Sequence, residues 1–444
     1  MKINSPPAVV TAVARSLMAG EPAVESAHVR LMQTLGRPWR WLLPLASRYV
    51  RAFEGRTRPR LRDVVRFLLD DRGFQRARAT HRDKIVVEHW LTEPQRMLPC
   101  GPAEEWGLPA LECEADLARW LGLHIPELEW LSDRKGLCGK QGSRKLQHYH
   151  YRLEQKRSGG IRLVECPKQQ LKELQRWILA SLLDRIPEHA AAHGFVKGRS
   201  IVSFATPHAG KAVLLRMDME NFFPSFPAAR VAALFRTLGY PERVADHLMG
   251  LCTNAVPRAV WRTRPVEFGA EEWREARVIY SRRHLPQGAP TSPALANAMA
   301  YRLDCRLTGL GRTAGAVYTR YGDDLAFSGT EEFRRVADRF AIHVAAVALE
   351  EGFAINHRKT RVMGQGVRQA LAGVVVNQGV SIRREELEKL EAILTNCVRT
   401  GLEAQNRGGV ADFRAHLEGR VGFVEMVQPE KGRRLRSIFE KIRG

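Results

Sequence analysis

The residues with the clearest chemical potential are the adjacent carboxylates of Tyr321-Gly322-Asp323-Asp324. Two neighbouring carboxylates repel one another, so their proximity is costly unless cations neutralise it. β-Prone runs at 316–320 and 325–328 flank them, which predicts a hairpin with both aspartates at its tip. A tight turn can aim both side chains at one point, whereas strand alternation would send them to opposite faces. Turns favour Asp and Gly for backbone reasons alone, so the pair needs a third carboxylate before it implies chemistry. Asp218 is the candidate, at the end of the short apolar run Val213-Leu-Leu-Arg-Met-Asp218 that reads as a buried strand. If that strand lies beside the hairpin, Asp218, Asp323 and Asp324 converge. Three carboxylates can hold two Mg²⁺ ions about 3.5–4 Å apart, with Mn²⁺ as a substitute. Such a pair lowers the pKa of an attacking 3′-hydroxyl, clamps an α-phosphate and stabilises departing pyrophosphate. That is the minimal apparatus of nucleotidyl transfer.

These groups need elements to position them. Three prolines and a glycine in Leu285-Pro-Gln-Gly-Ala-Pro-Thr-Ser-Pro293 fix an irregular backbone, and Ser292-Pro293 then launches a helix over about 294–307, before Gly309. Gln287 sits in that rigid turn, where its amide can contact an incoming nucleotide or the template. Leu171, Leu174, Trp177, Ile178, Leu182 and Ile186 predict a helix over 169–186 that Pro187 stops. A further helix is expected over 331–351, ending at Gly352. The last section opens with Ser381 as an N-cap and carries Leu387, Leu390, Leu394 and Cys397 on one helical face. Strands mixed with helices, without a regular βαβ rhythm, give an α+β class.

The chain has 444 residues, with 70 Lys plus Arg against 48 Asp plus Glu and a net charge of +22. A 44% hydrophobic content supplies packed cores and excludes global disorder. The charge points to a polyanion, most often nucleic acid, and arginine suits bidentate phosphate contacts. Thirteen Arg stand against four acids between Arg37 and Arg82, interrupted by Val64, Val65, Phe67, Leu68 and Leu69, which predicts folded basic helices in contact with RNA or DNA. The turn-formers Pro99, Gly101, Pro102, Gly107 and Pro109, in the stretch that begins at Leu98, mark a boundary near residue 106. Seven cysteines without a C-x-x-C pair read as a reducing compartment, with neither disulfide framework nor zinc knuckle. No apolar run is long enough to span a membrane, and Arg15 cuts short the signal-like start Met1-Lys2 with Ala8–Ala14. A cytoplasmic protein without membrane partners is expected.

In order, Met217-Asp218-Met-Glu-Asn-Phe-Phe223, Leu285–Pro293, Tyr321–Asp324 and Gly352-Phe-Ala-Ile-Asn-His-Arg-Lys-Thr360 resemble the palm motifs of bacterial reverse transcriptases. Upstream, Ser158-Gly-Gly-Ile-Arg-Leu-Val-Glu-Cys-Pro-Lys168 and His193-Gly-Phe-Val-Lys-Gly-Arg-Ser-Ile201 look like the fingers of the retron branch. Gly422-Phe-Val and Pro429-Glu-Lys-Gly432 look like its thumb, so the resemblance extends over roughly 107–444.

The resemblance implies roles residue by residue. Asp218, Asp323 and Asp324 match metal-binding aspartates, with the Met219 carbonyl helping. Phe223 matches an aromatic gate that excludes a 2′-hydroxyl and selects deoxynucleotides. Arg162 matches a triphosphate-gripping arginine, and Lys359 a lysine that protonates pyrophosphate, in a loop that Asn356 helps shape. His208 is a candidate RNA contact. Two segments depart from the retron pattern: Phe204-Ala-Thr-Pro-His208 lacks the usual Asn, and Leu371-Ala-Gly373 keeps only the glycine of Val-Thr-Gly.

The architecture implied is an α+β right-hand polymerase. It comprises a basic helical N-terminal extension (1–106), fingers (107–216), palm (217–380) and thumb (381–444). The arginines of 254–284 (Arg258, Arg262, Arg264, Arg274, Arg277, Arg282 and Arg283) are expected on the nucleic-acid side. The activity implied is an RNA-directed DNA polymerase using deoxynucleoside triphosphates and Mg²⁺ to copy a cognate structured non-coding RNA into single-stranded DNA. The family further implies self-priming from a 2′-hydroxyl to give a branched RNA–DNA, and anti-phage defence with an effector protein encoded nearby. The alternatives are a non-retron defence reverse transcriptase, protein-primed or untemplated, and an inactive polymerase fold serving as an RNA-binding scaffold.

Overall fold

The structure is a computed structural model that describes residues 6–20, 22–54, 59–91, 97, 99–134, 136–138, 146–156 and 159–442. Met1, Lys2, Leu98 and Ser158, used in the sequence reading, lie outside the described residues. The chain folds as two units, one joining Met1–Ile186 with Phe226–Ser292, the other Pro187–Ser225 with Pro293–Gly444. Among the described residues no helix is long and apolar enough to cross a membrane.

The first unit begins with the helices Pro6–Met18, Val24–Leu35, Leu42–Ala52, Leu61–Asp70 and Arg72–His81. Their inward faces make a core around Val13, Leu17, Leu31, Leu45, Val64, Leu68 and Phe74. The fourth helix shows why the basic sequence folds: Val64 and Leu68 are one turn apart and buried, while Arg62 and Arg66 occupy the exposed face. Asp71 caps the fifth helix by accepting from the Phe74 N–H at 2.7 Å, and it pairs with Arg48 at 2.6 Å. Burial opposes ionisation of Asp71, but Arg48 and the backbone N–H groups outweigh it and hold the carboxyl below its usual range. Further along, strands β1 (Tyr149–Gln155) and β2 (Ile161–Pro167) form an antiparallel hairpin. On β2, Ile161, Leu163 and Glu165 point inward and Arg162 outward. The helix expected over 169–186 runs Gln169–Ser181 and closes with a short 3₁₀ turn.

The second unit is built on an antiparallel sheet of β3 (Val213–Asp218), β4 (Val317–Tyr321), β5 (Asp324–Gly329) and β6 (Arg361–Gly364), in the order β4-β5-β3-β6. The apolar run around Asp218 is thus a central strand, and the hairpin of the sequence reading is β4–β5. The helix Glu331–Glu350 packs on this sheet, with Phe340 edge-on to Phe327 at 5.0 Å. A second core joins Phe204 and Leu214 to Leu390, Leu394, Leu417, Val421 and Leu435 of the C-terminal helices. Short strands β7 (Ala370–Leu371) and β8 (Val374–Val375) meet at Ala372 and Gly373, whose φ values of 44° and 89° fit a two-residue primed turn. This geometry accounts for the glycine in Leu371-Ala-Gly373.

Two helix boundaries differ from expectation. The helix after the Pro/Gly loop runs Ser292–Thr313, straight through Gly309; the left-handed turn that ends a helix comes instead at Gly315, with φ +67°. Ser381 is not an N-cap. Its backbone is spent on a bridge with Val375, at 2.7 and 2.9 Å, and the helix starts at Arg384.

One buried ion pair anchors β4. Arg320 is fully buried and donates from Nε and Nη2 to Asp304 at 2.8 and 2.7 Å. Its Nη1 reaches Asn297 at 2.9 Å and the Gly322 carbonyl at 3.2 Å, and Tyr318 donates to Asp304 at 2.8 Å. Removing one partner of such a pair strands an uncompensated charge. Asp304→Ala should therefore destabilise the chain by about 3–5 kcal/mol, read as a lower denaturation midpoint. Arg384→Gln, which breaks an exposed pair with Glu388, should leave that midpoint unchanged.

Candidate active site

The sheet brings the three carboxylates together by register. Asp218 on β3 lies directly opposite Asp324 on β5. β4 joins β5 through a turn in which Tyr321 pairs with Asp324, leaving only Gly322 and Asp323 between. Gly322 has φ +63°, a left-handed conformation that side chains adopt at a cost. Asp323 therefore occupies the turn and Asp324 the first strand position, so the alternation that would separate them is broken. The Met219 N–H donates to the Asp323 carbonyl at 2.9 Å, and the Asn356 N–H to the Asp218 carbonyl at 2.8 Å. Lys359 ends the short helical turn that follows Asn356.

Two of the carboxylates face side-chain cations. Lys359 Nζ donates to both Asp218 oxygens, at 2.9 and 3.0 Å. Arg216 shares one face of β3 with Asp218. It donates from Nε and Nη2 to Asp324 Oδ1, at 3.0 and 2.8 Å. Asp323 stays accessible at the turn yet is closely surrounded by protein. That crowding, with the charges of Asp324 and Asp218, pushes its carboxyl up to about 6. Burial also holds Asp324 above the ordinary carboxylate range, with Arg216 opposing. Among the described residues no group of three or more His, Cys, Asp or Glu side chains is placed so as to hold a metal ion. The donor chemistry nonetheless fits a hard divalent cation: oxygen ligands only, on a carboxylate cluster crowded enough to resist ionisation.

Aromatic rings border this centre. Phe223 is half-buried, 5.6 Å from Phe222 and 6.1 Å from Phe195. Phe195 is exposed, has φ +65°, and lies 6.4 Å from Tyr321. Gly194 lets its chain press on the aspartate turn, since a Cβ there would stand 2.4 Å from the Gly322 nitrogen. Asn297 holds this contact by donating to the Gly194 carbonyl at 2.9 Å.

Arg162 and Gln287 both belong to the first unit. Arg162 is exposed on β2, and the Gln287 carbonyl accepts from the Glu165 N–H of the same strand at 2.8 Å. Gly288 permits this approach, because a Cβ would sit 3.0 Å from the Glu165 carbonyl oxygen. Beneath the loop, buried Glu165 accepts from Asn254 at 2.8 Å and pairs with His284 at 2.9 Å. Burial opposes a charged His284, but the Glu165 carboxylate outweighs it and raises the ring above its usual value. Sequence reasoning missed Arg216, Phe195 and the Glu165–His284 pair. The available signals were a lone arginine inside an apolar strand, and an aromatic within the quoted fingers motif.

Two expected nucleic-acid contacts are corrected. His208 is fully buried, and its ring nitrogens are spent on Ser328 and Thr319, each at 2.7 Å, so no face remains for RNA. Burial drives its pKa down to about 3, which keeps the ring neutral. Arg283 is likewise internal, donating to the Asp133 carbonyl at 2.6 Å, whereas the other arginines of 254–284 are exposed.

Asp323 sets the sign of a pH effect. Its folded pKa of about 6 lies above the unfolded value, so the stability it contributes is complete below about pH 4 and is lost as pH rises through about 6. In metal-free protein, Asp323→Asn should raise the thermal midpoint at about pH 8 and leave it unchanged near pH 4, as scanning fluorimetry across pH would report. A lower midpoint at the alkaline end would contradict the crowding described here.

Comparisons with known proteins fit this geometry. Residues 154–376 match the family model described as reverse transcriptase (RNA-dependent DNA polymerase). The retron Mx65 reverse transcriptase of Myxococcus xanthus is 41% identical over 330 residues, spanning 74% of this chain and 72% of that one. The retron Mx162 reverse transcriptase of the same organism is 35% identical, spanning 74% and 66%. The retron Ec86 reverse transcriptase of Escherichia coli is 30% identical, spanning 64% and 77%. The chain belongs to the bacterial retron-type reverse transcriptases, RNA-directed DNA polymerases of right-hand fold.

Proposed function

We propose that this retron-type polymerase copies a cognate structured non-coding RNA, priming from a 2′-hydroxyl within it to yield branched RNA–DNA. The observation that carries the chemistry is the cross-strand register of Asp218 with Asp324, with Asp323 in the adjoining turn. Asp218, Asp323 and Asp324, helped by the Met219 carbonyl, would hold two Mg²⁺ ions. When bound, the ions supply charge neutralisation and Lewis-acid activation for in-line phosphoryl transfer. Lys359, now on Asp218, is the proton donor for departing pyrophosphate. Phe223 closes the space under the sugar against a 2′-hydroxyl. Arg162 grips the triphosphate of a deoxynucleotide, and Gln287 touches the nascent pair from its rigid loop. In this reading residues 107–216 act as fingers, 217–380 as palm and 381–444 as thumb. The enzyme works in the cytoplasm, in anti-phage defence with an effector protein encoded nearby.

The test is to express the chain with its native flanking DNA and sequence the nucleic acid that co-purifies, beside an Asp323→Ala/Asp324→Ala version. The expected outcome is a discrete DNA joined to RNA in the wild type alone. RNA alone in both preparations would point to a scaffold, and aspartate-dependent DNA without an RNA branch would overturn self-priming. Phe223→Val should raise ribonucleotide incorporation relative to deoxynucleotide by roughly 10–200-fold, the range one lost steric contact gives.

A further inference from the structure

The first unit carries a cationic surface that nucleotidyl transfer leaves unused. Residues 37–82 hold thirteen Arg against four acids. One of those acids, Asp71, is buried and consumed by Arg48 and by its capping role. Arg66, Arg72 and Arg76 are exposed on helices whose opposite faces fill the bundle core, and no carboxylate among the described residues pairs with them.

At one corner this charge meets aromatic planes. Gly36, with φ +64°, ends the helix Val24–Leu35 and turns the chain into the loop that follows. In that loop the Arg37 guanidinium lies 6.0 Å from the centre of the Trp39 ring, and Trp39 packs on His81 at 4.6 Å. The exposed side chains of Arg40 and Arg82 directly follow Trp39 and His81, and exposed Lys84 ends the next 3₁₀ turn. Glu88 packs its carboxylate on Gly36 at the same corner, which leaves the cations in clear excess.

Guanidinium forks match phosphates, and the half-buried Trp39 indole, with the His81 ring tilted 47° against it, offers aromatic surface to an unpaired base. An acidic protein surface would answer the charge but not the planes. A DNA duplex answers the charge but keeps its base faces stacked, whereas RNA loops and bulges offer unpaired bases. We propose that the Arg37–Trp39–His81 corner is an RNA-binding site, taking backbone phosphates and one unpaired base. It lies outside the 154–376 span that matches the polymerase family. The choice of RNA over DNA rests on the chain's being an RNA-directed polymerase; the rest of the inference does not.

The test is fluorescence anisotropy of the full-length chain with a labelled hairpin RNA bearing an unpaired loop, and with a DNA duplex of the same stem sequence, over a range of salt. Neither nucleotides nor divalent ions are present, so a chain inactive as a polymerase still reports. Arg37→Gln/Arg40→Gln/Arg82→Gln should reduce the log–log salt slope for hairpin RNA by about 2–3, since each lost phosphate contact removes roughly one. Trp39→Ala should weaken hairpin RNA by about 5- to 100-fold while scarcely changing the duplex, as loss of one base stack predicts. The triple variant alters only exposed side chains and should keep its thermal midpoint, so its binding result stands even if Trp39→Ala unfolds. Hairpin affinity and slope unchanged in the triple variant would overturn the proposal. So would equal losses for hairpin and duplex in a folded Trp39→Ala chain. Loss of a co-purifying protein from the triple variant, with RNA binding intact, would assign the surface to that protein instead.

Discussion

Repulsion among Asp218, Asp323 and Asp324 is the constraint around which the second unit is built. Three carboxylates do not gather unless covalent geometry and a sheet ladder force them together. The forcing is visible at each level. A two-residue turn defeats strand alternation, a left-handed glycine makes that turn, and antiparallel register sets Asp218 against Asp324. Lys359 and Arg216 then supply countercharge within hydrogen-bonding distance. Behind the turn, buried Arg320 reaches the Gly322 carbonyl while its own charge is answered by Asp304. Arg320 and Asp304 thus brace the turn from behind without reaching the carboxylates themselves.

A comparable division of labour operates in the first unit. The Pro-Gln-Gly loop is shaped by its own prolines, but its position against β2 depends on a hydrogen bond to Glu165 and on the glycine that permits it. Glu165 and His284 sit wholly inside, where each would be costly alone and where the pair satisfies both. Gln287 in the loop thus rests on a buried polar pair beneath β2.

What the sequence made legible was local. A short apolar run revealed β3, two β-prone runs revealed the β4–β5 hairpin, helical spacing revealed the helices at 169–181 and 331–350, and four motifs in order pointed to the polymerase family. The uninformative positions were those decided by distant partners. Arg216 looks like an interruption of an apolar strand until Asp324 arrives opposite it. His208 lies where an RNA contact is expected, yet its ring is enclosed between two hydroxyl groups of β4 and β5. Ser381 has the right type for a cap, but a strand bridge takes its backbone first. Gly309 could end a helix, but the left-handed turn falls at Gly315 instead.

The topology of β3 also has a kinetic side. Its ladder partners β5 and β6 both come from far later in the chain, and Arg216 meets Asp324 across a separation of 108 residues. At translation rates of about 5–20 residues per second, a strand in this position waits roughly 5–20 s for its first neighbour. During that interval its apolar residues and open edges are exposed, a state prone to wrong pairing. Contacts of such long range also slow the search for the native state once the chain is complete. The carboxylate cluster is therefore assembled late in the making of the chain. A truncated or nascent chain lacking the segment after residue 324 carries Asp218 without the sheet that gives it a function.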